Sequence, residues 1–199
     1  EPCVVDIDGL SVGLTICEDI WHPEPAAQAK AAGAAMLINI NASPFHRGKS
    51  SERLERVKSC AAAHQLPIIY VNQVGGQDEL VFDGGSFAID AQGELSVSAQ
   101  TFIEAFPIVT VDRSSDARLA PGDTAAERKD LDAVWQALVL GMRDYVDKNG
   151  FPGVVLGLSG GIDSAVTLAV AADALGHERV EAVMMPFRYT ASMSVEDAK

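Results

Sequence analysis

The spacing of apolar residues changes several times along the chain, and each change predicts an element. Residues 4–7 and 10–16 are β-branched runs of strand length. Asp8-Gly9 lies between them, and glycine tolerates the positive φ of a two-residue hairpin turn. Residues 23–33 are alanine-rich, with proline in the first turn and Gly33 at the end, which predicts a helix. Residues 36–40 read as a buried strand and 41–50 as a loop. Residues 51–64 read as a second helix, capped by Ser51, with Arg53, Arg56 and Lys58 on its solvated side. Strands follow at 68–71, 87–89, 95–97 and 108–111, with turns at Asp83-Gly84-Gly85 and Ala91-Gln92-Gly93. Strands mixed with helices in this way predict a layered α/β domain.

The pattern lapses over residues 113–127, where Ser, Asp, Pro, Gly and Thr predominate; a linker is expected there. It resumes over 130–149. Leu131, Val134, Trp135, Leu138, Met142, Tyr145 and Val146 recur at spacings of three and four, predicting an amphipathic helix closed by Gly150. A strand at 154–158, a helix at 164–175 ended by Gly176, and a strand at 180–185 predict one βαβ unit with parallel strands. Ser194-Val195-Glu196-Asp197 resembles a capping box and predicts the start of another helix.

Composition narrows the choices. A chain of 199 residues with 48% hydrophobic content can build one or two cored domains. The net charge of −13 disfavours a nucleic-acid partner, which calls for a basic face. No apolar run reaches the roughly 18 residues of a membrane span, and no basic-then-apolar leader opens the chain. Cys3, Cys17 and Cys60 are odd in number and widely spaced, so a reducing, cytoplasmic setting is expected rather than a disulfide framework. The chain opens at Glu1 just before a strand and closes at Lys199 inside a helix signal. The expectation is a piece of a longer protein, cut through domains at both ends and inactive alone.

Two segments carry chemistry. Gly157, Leu158, Ser159, Gly160, Gly161, Ile162, Asp163 and Ser164 join a predicted strand to a predicted helix. Free N–H groups and the positive dipole end at a helix start attract anions, and glycines let the backbone approach a phosphate. A kinase-type loop has lysine before the final Ser, whereas here Asp163 stands there. A carboxylate facing phosphate needs a cation between them, so Mg²⁺ held by Asp163 is expected, with ATP as the nucleotide. The second segment is Cys17, at the end of a strand and followed by Glu18 and Asp19. Strand ends gather functional groups, although most cysteines are simply buried. A nucleophilic thiolate there needs a nearby cation.

The sequence around each segment resembles a known family. Ser159-Gly160-Gly161-Ile162-Asp163-Ser164 resembles the loop of N-type ATP pyrophosphatases, which activate substrates by adenylation. Gly13-Leu14-Thr15-Ile16-Cys17-Glu18-Asp19-Ile20-Trp21 resembles the nucleophile segment of the carbon–nitrogen hydrolases, or nitrilases. Asn41-Ala42-Ser43-Pro44-Phe45, Asn72-Gln73-Val74-Gly75-Gly76 and 80–86 resemble that family's later strands. The pairing is similar to the glutamine-dependent NAD synthetase family over nearly the whole chain. Met184-Met185-Pro186, Tyr189-Thr190 and 194–198 also fit it, while Phe187-Arg188 and Ala191 vary its pattern.

The resemblance implies the C-terminal part of a nitrilase-like αββα sandwich (1–115), a linker (116–129) and the start of a Rossmann-like parallel α/β synthetase domain (130–199). It implies a Glu–Lys–Cys triad, with Cys17 matched here and the Glu and Lys expected upstream of Glu1. Ser43 and Lys49 match residues that hold the α-amino and α-carboxylate groups of glutamine. Ammonia from glutamine would then amidate deamido-NAD, activated by ATP, in a cytoplasmic homo-oligomer. His46 is expected to have no catalytic duty, and Trp21 and Trp135 to be core residues. The alternatives are a simple carbon–nitrogen amidase, which leaves the loop at Gly157 unexplained, and another adenylating amidotransferase.

Overall fold

The computed structural model describes residues 1–113, 117–189 and 192–198. Residues 114–116 of the expected linker, and Thr190 and Ala191 of the synthetase-like segment, lie outside the described residues. The chain forms two compact units, Glu1–Gly75 with Phe82–Asp130, and Gly76–Val81 with Leu131–Lys199.

In the first unit, β1 (Cys3–Ile7) turns through Asp8 and Gly9, both at positive φ (52° and 82°), into antiparallel β2 (Leu10–Ile16). Helix α1 (Pro23–Ala31) leads to β3 (Met36–Asn41), and α2 (Lys49–His64) to β4 (Ile68–Asn72). Strands β2, β3 and β4 run parallel, with Ile16 opposite Ile40 and Asn41 opposite Asn72. After β5 (Val74–Gln77) and β6 (Leu80–Asp83), β7 (Phe87–Ile89) and β8 (Leu95–Ser98) complete a sheet of order β1-β2-β3-β4-β7-β8.

Side chains alternate across this sheet. Leu37, Ile68, Tyr70 and Ile89 point to one face, where they pack with Ala26 and Ala29 of α1 and Val57 and Ala61 of α2. Tyr70 stacks on Phe87 there, with ring centroids 4.9 Å apart. On the other face lie Val12 and Met36, packed with Ala117 and Val111. The run expected as a strand at 108–111 is paired only from Val111. There β9 (Val111–Asp112) meets β10 (Arg118–Leu119), inside the expected linker. Residues 120–127 follow no period because they pack mostly as irregular backbone. Leu119 joins Ala88 and Val97 in the core, and Gly122 and Ala125 donate N–H bonds to Ser96 and Ser98 carbonyls.

Helix α2 begins at Lys49, not Ser51. Its cap is Gly48 at φ 81°, with no side-chain hydrogen bond, so left-handed backbone rather than a serine hydroxyl turns the chain in.

The second unit is built on α3 (Asp130–Lys148), β11 (Val154–Gly157), α4 (Ile162–Leu175) and β12 (Val180–Val183). Strands β11 and β12 pair in parallel around α4, as the βαβ pattern predicts. The predicted face of α3 splits in two. Trp135, Met142 and Val146 pack with Val170, Ala174 and Leu175 of α4, joined by Val139, which the predicted face omitted, whereas Leu131, Leu138 and Tyr145 are exposed. Residues 135, 139, 142 and 146 follow the 3.6-residue period closely, and a single stripe suffices to pack one neighbouring helix. Helix α5 (Ser192–Asp197) starts before Ser194, so Ser194 lies within it rather than capping it. Among the described residues, no helix is long and apolar enough to cross a membrane.

Candidate active site of the first unit and nucleotide loop of the second

Three parallel strands end along one rim of the first sheet, the edge where ligands bind in α/β proteins. Cys17 is the first residue after β2. It is half-buried, unpaired and held at φ 48°, a left-handed conformation that costs a non-glycine residue roughly 1–2 kcal/mol. The Asp19 carboxylate accepts the Ile16 N–H at 2.9 Å and so ties the short 3₁₀ turn from Cys17 to Trp21 back onto the strand. That gives Asp19 the orienting role a carboxylate beside Cys17 can play.

Ser43 lies two residues past β3 and is buried. Its N–H donates to Asn72 Oδ1 (2.9 Å) at the end of β4, and the Asn72 amide donates to the Gly84 carbonyl (3.0 Å). Arg53 lies beneath it. This residue, expected on the solvated side of α2, is 3% exposed, and so is its partner Asp83. Arg53 Nη1 donates to both Asp83 oxygens (2.7 and 2.9 Å), Nη2 to the Ser43 and Pro44 carbonyls (both 2.8 Å), and Nε to Ser43 Oγ (3.0 Å). A buried arginine is tolerated only when paired and saturated in this way. Asp83, read from sequence as part of a turn, is the last residue of β6 and supplies the counter-charge, while Gly84 and Gly85, both at φ 62°, make the turn. Sequence alone offered one signal for the network. Asn72 is an amide ending an apolar strand, and it is buried.

Lys49 opens α2. Its ammonium lies 4.2 Å from the Trp21 ring centroid and 2.9 Å from Glu52 Oε2. Trp21 therefore links the Cys17 turn to the start of α2 while packing on the core. His46 is exposed and contacts the Arg47 carbonyl. Burial pushes the Tyr70 phenol above its usual range, with the charge of Arg53 a smaller opposing effect. Tyr70 Oη lies beside Ser43 without a hydrogen bond of ordinary geometry.

In the second unit, residues 157–164 run from the end of β11 into α4, whose N-terminal cap is Gly161. Ser164 Oγ donates to the Gly161 carbonyl (2.8 Å) and lies 3.1 Å from Ser159 Oγ, which closes the loop on itself. Gly160 sits at φ 78°, and a Cβ there would come within 2.2 Å of the Ser194 carbonyl oxygen. Glycine is therefore required on two counts. Asp163 lies in the first turn of the helix. Trp135 donates through Nε1 to Asp173 (2.9 Å) and packs, partly buried, against the core of the second unit. Among the described residues no group of three or more His, Cys, Asp and Glu side chains is placed to hold a metal. A single carboxylate is nonetheless compatible with Mg²⁺, which commonly takes one or two carboxylates and completes its shell with phosphate and water.

Comparison with known proteins finds relatives of both units. The NAD synthase family matches residues 134–199. A glutamine-dependent NAD(+) synthetase of Rhodobacter capsulatus is 45% identical over 190 residues, 95% of this chain and 34% of that protein. The enzyme of the same name from Aquifex aeolicus is 40% identical, covering 100% of this chain and 41% of its own length. The glutamine-dependent NAD+ synthetase of Acinetobacter baumannii, solved with adenosine diphosphate, superposes with a TM-score of 0.93 at 44% identity. It covers all of this chain and 38% of that one. The chain thus spans well under half the length of these relatives. The carbon-nitrogen hydrolase family matches residues 2–120. Because that match takes in more than half of the chain, including the rim that presents Cys17 and Ser43, the chain belongs to the carbon-nitrogen hydrolase family.

Proposed function

We propose that this chain is the junction between the glutaminase and synthetase parts of a glutamine-dependent NAD synthetase, with domains at 1–115 and 130–199 and a linker at 116–129. The observation that carries the proposal is the presence in one chain of a hydrolase-family match at 2–120 and an NAD synthase match at 134–199. Few chemistries need both, and an ammonia-consuming ligase supplied by an amide hydrolase is one.

Cys17 Sγ attacks the glutamine carboxamide carbon, the C–N bond breaks and ammonia leaves. Water then cleaves the thioester to release glutamate. Strained backbone at Cys17 holds the sulfur out at the rim, Ser43 and Lys49 hold the amino-acid end of glutamine, and Trp21 and Glu52 keep Lys49 in place. In the second unit a carboxylate oxygen of deamido-NAD attacks the α-phosphorus of ATP, expelling pyrophosphate. Ammonia then attacks the acyl carbon and AMP leaves. Residues 157–164 offer N–H groups and hydroxyls to the phosphates, and Asp163 would hold Mg²⁺, which screens their charge. A cytoplasmic homo-oligomer belongs to the same proposal.

Cys17→Ala in the full-length protein tests it. Glutamine-driven NAD formation should vanish while ammonia-driven formation persists. Glutamine turnover near wild type would refute the thioester assignment, and loss of both activities would refute the division of labour.

A further inference from the structure

Among the described residues, three regular elements run across the boundary between the two units: β5 after Gly75, β6 after Val81 and α3 after Asp130. The tip of the β5–β6 hairpin is fastened to α3. Asp144 Oδ2 accepts the Gly76 N–H (2.7 Å), and Lys148 Nζ donates to the Gly76 carbonyl (2.6 Å). Asp144 and Lys148 are themselves paired at 3.0 Å, one helical turn apart. Two glycines let the backbones approach. A Cβ at Gly76 would come within 3.1 Å of Gly141 Cα, and one at Gly141 within 3.1 Å of Val81 Cγ2. Two residues beyond Val81 in the same extended strand, Asp83 holds Arg53, whose guanidinium braces the loop at 42–48 through the Ser43 and Pro44 carbonyls.

The same loop is held from another side. Arg47 donates through Nε to Asp130 Oδ1 (3.0 Å) and through Nη2 to Asp130 Oδ2, and Asp130 is the first residue of α3. Helix α3 in turn packs on α4, with Trp135 Nε1 bonded to Asp173, and α4 begins at the glycine-rich loop. Closely packed helices shift as bodies rather than deform continuously. We infer that α3 is a coupling element: through its tethers at Asp130 and at the Asp144–Lys148 pair, it conveys a nucleotide-induced shift of α4 to the 42–48 loop. Each tether lies within one unit and reaches the other through the backbone of a continuous element. The inference rests on the nucleotide and glutaminase proposals above, and adds to them the residues that connect the two chemistries.

Hydrogen exchange read by mass spectrometry on the full-length protein tests it, with ATP and Mg²⁺ as the probe. In the wild type, ATP should slow exchange at 157–164 and change the exchange rate over 42–48 by about fivefold or more, the lower end of ordinary coupling between sites. Asp130→Ala combined with Asp144→Ala should keep the protection of 157–164 and reduce the response of 42–48 to within about twofold. Calorimetry gives a second reading in Cys17→Ala, which should bind glutamine without turning it over. There ATP should change the glutamine Kd, and glutamine the ATP Kd, by the same factor, because coupling of binding is reciprocal. Cutting the tethers should bring that factor to within about twofold of unity.

A 42–48 response that is absent in the wild type, or unchanged in the tether variant, would overturn the inference. Should Asp130→Ala with Asp144→Ala fail to fold, as judged by its melting curve, Asp130→Ala with Lys148→Met replaces it. Both of those side chains are about half-exposed, and the 42–48 response should fall in the same direction. If ATP gives no protection of 157–164, the nucleotide proposal fails, and this inference with it. If glutamine turnover survives Cys17→Ala, the glutaminase proposal fails, and the exchange response of 42–48 still decides the coupling.

Discussion

Removing the carboxylate of Asp83 exposes how much the first unit depends on one buried pair. In Asp83→Ala, Arg53 Nη1 loses both of its acceptors at a position 3% exposed to solvent. Leaving a buried charge uncompensated costs about 3–5 kcal/mol, a large share of the roughly 5–15 kcal/mol that stabilises a typical domain. For a domain of this size that corresponds to a fall in melting temperature of about 10–20 °C. Asp83→Asn keeps one acceptor oxygen and should lose about half as much. The double change Arg53→Met with Asp83→Ala removes the stranded charge and should recover part of the loss. Recovery should be incomplete, because the Ser43 and Pro44 carbonyls then lack their donors, at about 1 kcal/mol or more each. Urea unfolding followed by Trp21 fluorescence in a Trp135→Phe background measures the first unit alone. A shift below about 0.5 kcal/mol for Asp83→Ala, or full recovery in the double variant, would refute the reasoning.

Other outcomes follow from single contacts. Gly160→Ala places a Cβ 2.2 Å from the Ser194 carbonyl oxygen at a φ of 78°. Nucleotide affinity by calorimetry should fall at least about tenfold, with first-unit unfolding unchanged. Lys49→Met removes a cation from the rim, and the glutamine KM should rise by about tenfold or more, the worth of a charge-assisted contact; an unchanged KM would leave Lys49 as a partner of Glu52 and Trp21 alone. Asp163→Asn should shift the Mg²⁺ dependence of ATP turnover to higher metal concentration while sparing glutamine hydrolysis, and an unaltered Mg²⁺ titration would make Asp163 a helix-terminal residue only. Burial raises the Cys60 thiol, a nearby Arg56 opposing it less strongly. The thiol is protonated in both folded and unfolded chains below about pH 8.5, and the unfolded chain releases its proton first as pH rises. Stability should therefore fall with increasing pH above that point, and Cys60→Ala should lessen the fall. Identical pH profiles for the two proteins would contradict this.

Local features of the first unit were legible in the sequence because each depends on neighbours in the chain. Asp8-Gly9 closes a hairpin through its own backbone preference, and short continuous apolar runs mark β3 and β4 whatever they pack against. The glycine-rich stretch between β11 and α4 is likewise local, since a strand end, permissive backbone and a helix start follow one another directly in the chain. Cys17 could be singled out for its place at a strand end, and its neighbours supplied the family resemblance.

Tertiary structure decided what depends on distant partners. Arg53 has the sequence signature of a solvated helix residue, and only folding brings Asp83, thirty positions away, beneath it. The sequence pattern reads as one apolar face on α3, and packing against α4 buried Trp135, Met142 and Val146 together with Val139 while leaving Leu131, Leu138 and Tyr145 exposed. Residues 117–119 show no period, yet Ala117 and Leu119 are buried on the sheet face opposite α1 and α2. Periodicity records how a segment repeats along its own axis. It cannot register which side chain meets a charge, a stripe or a sheet face contributed by another part of the chain.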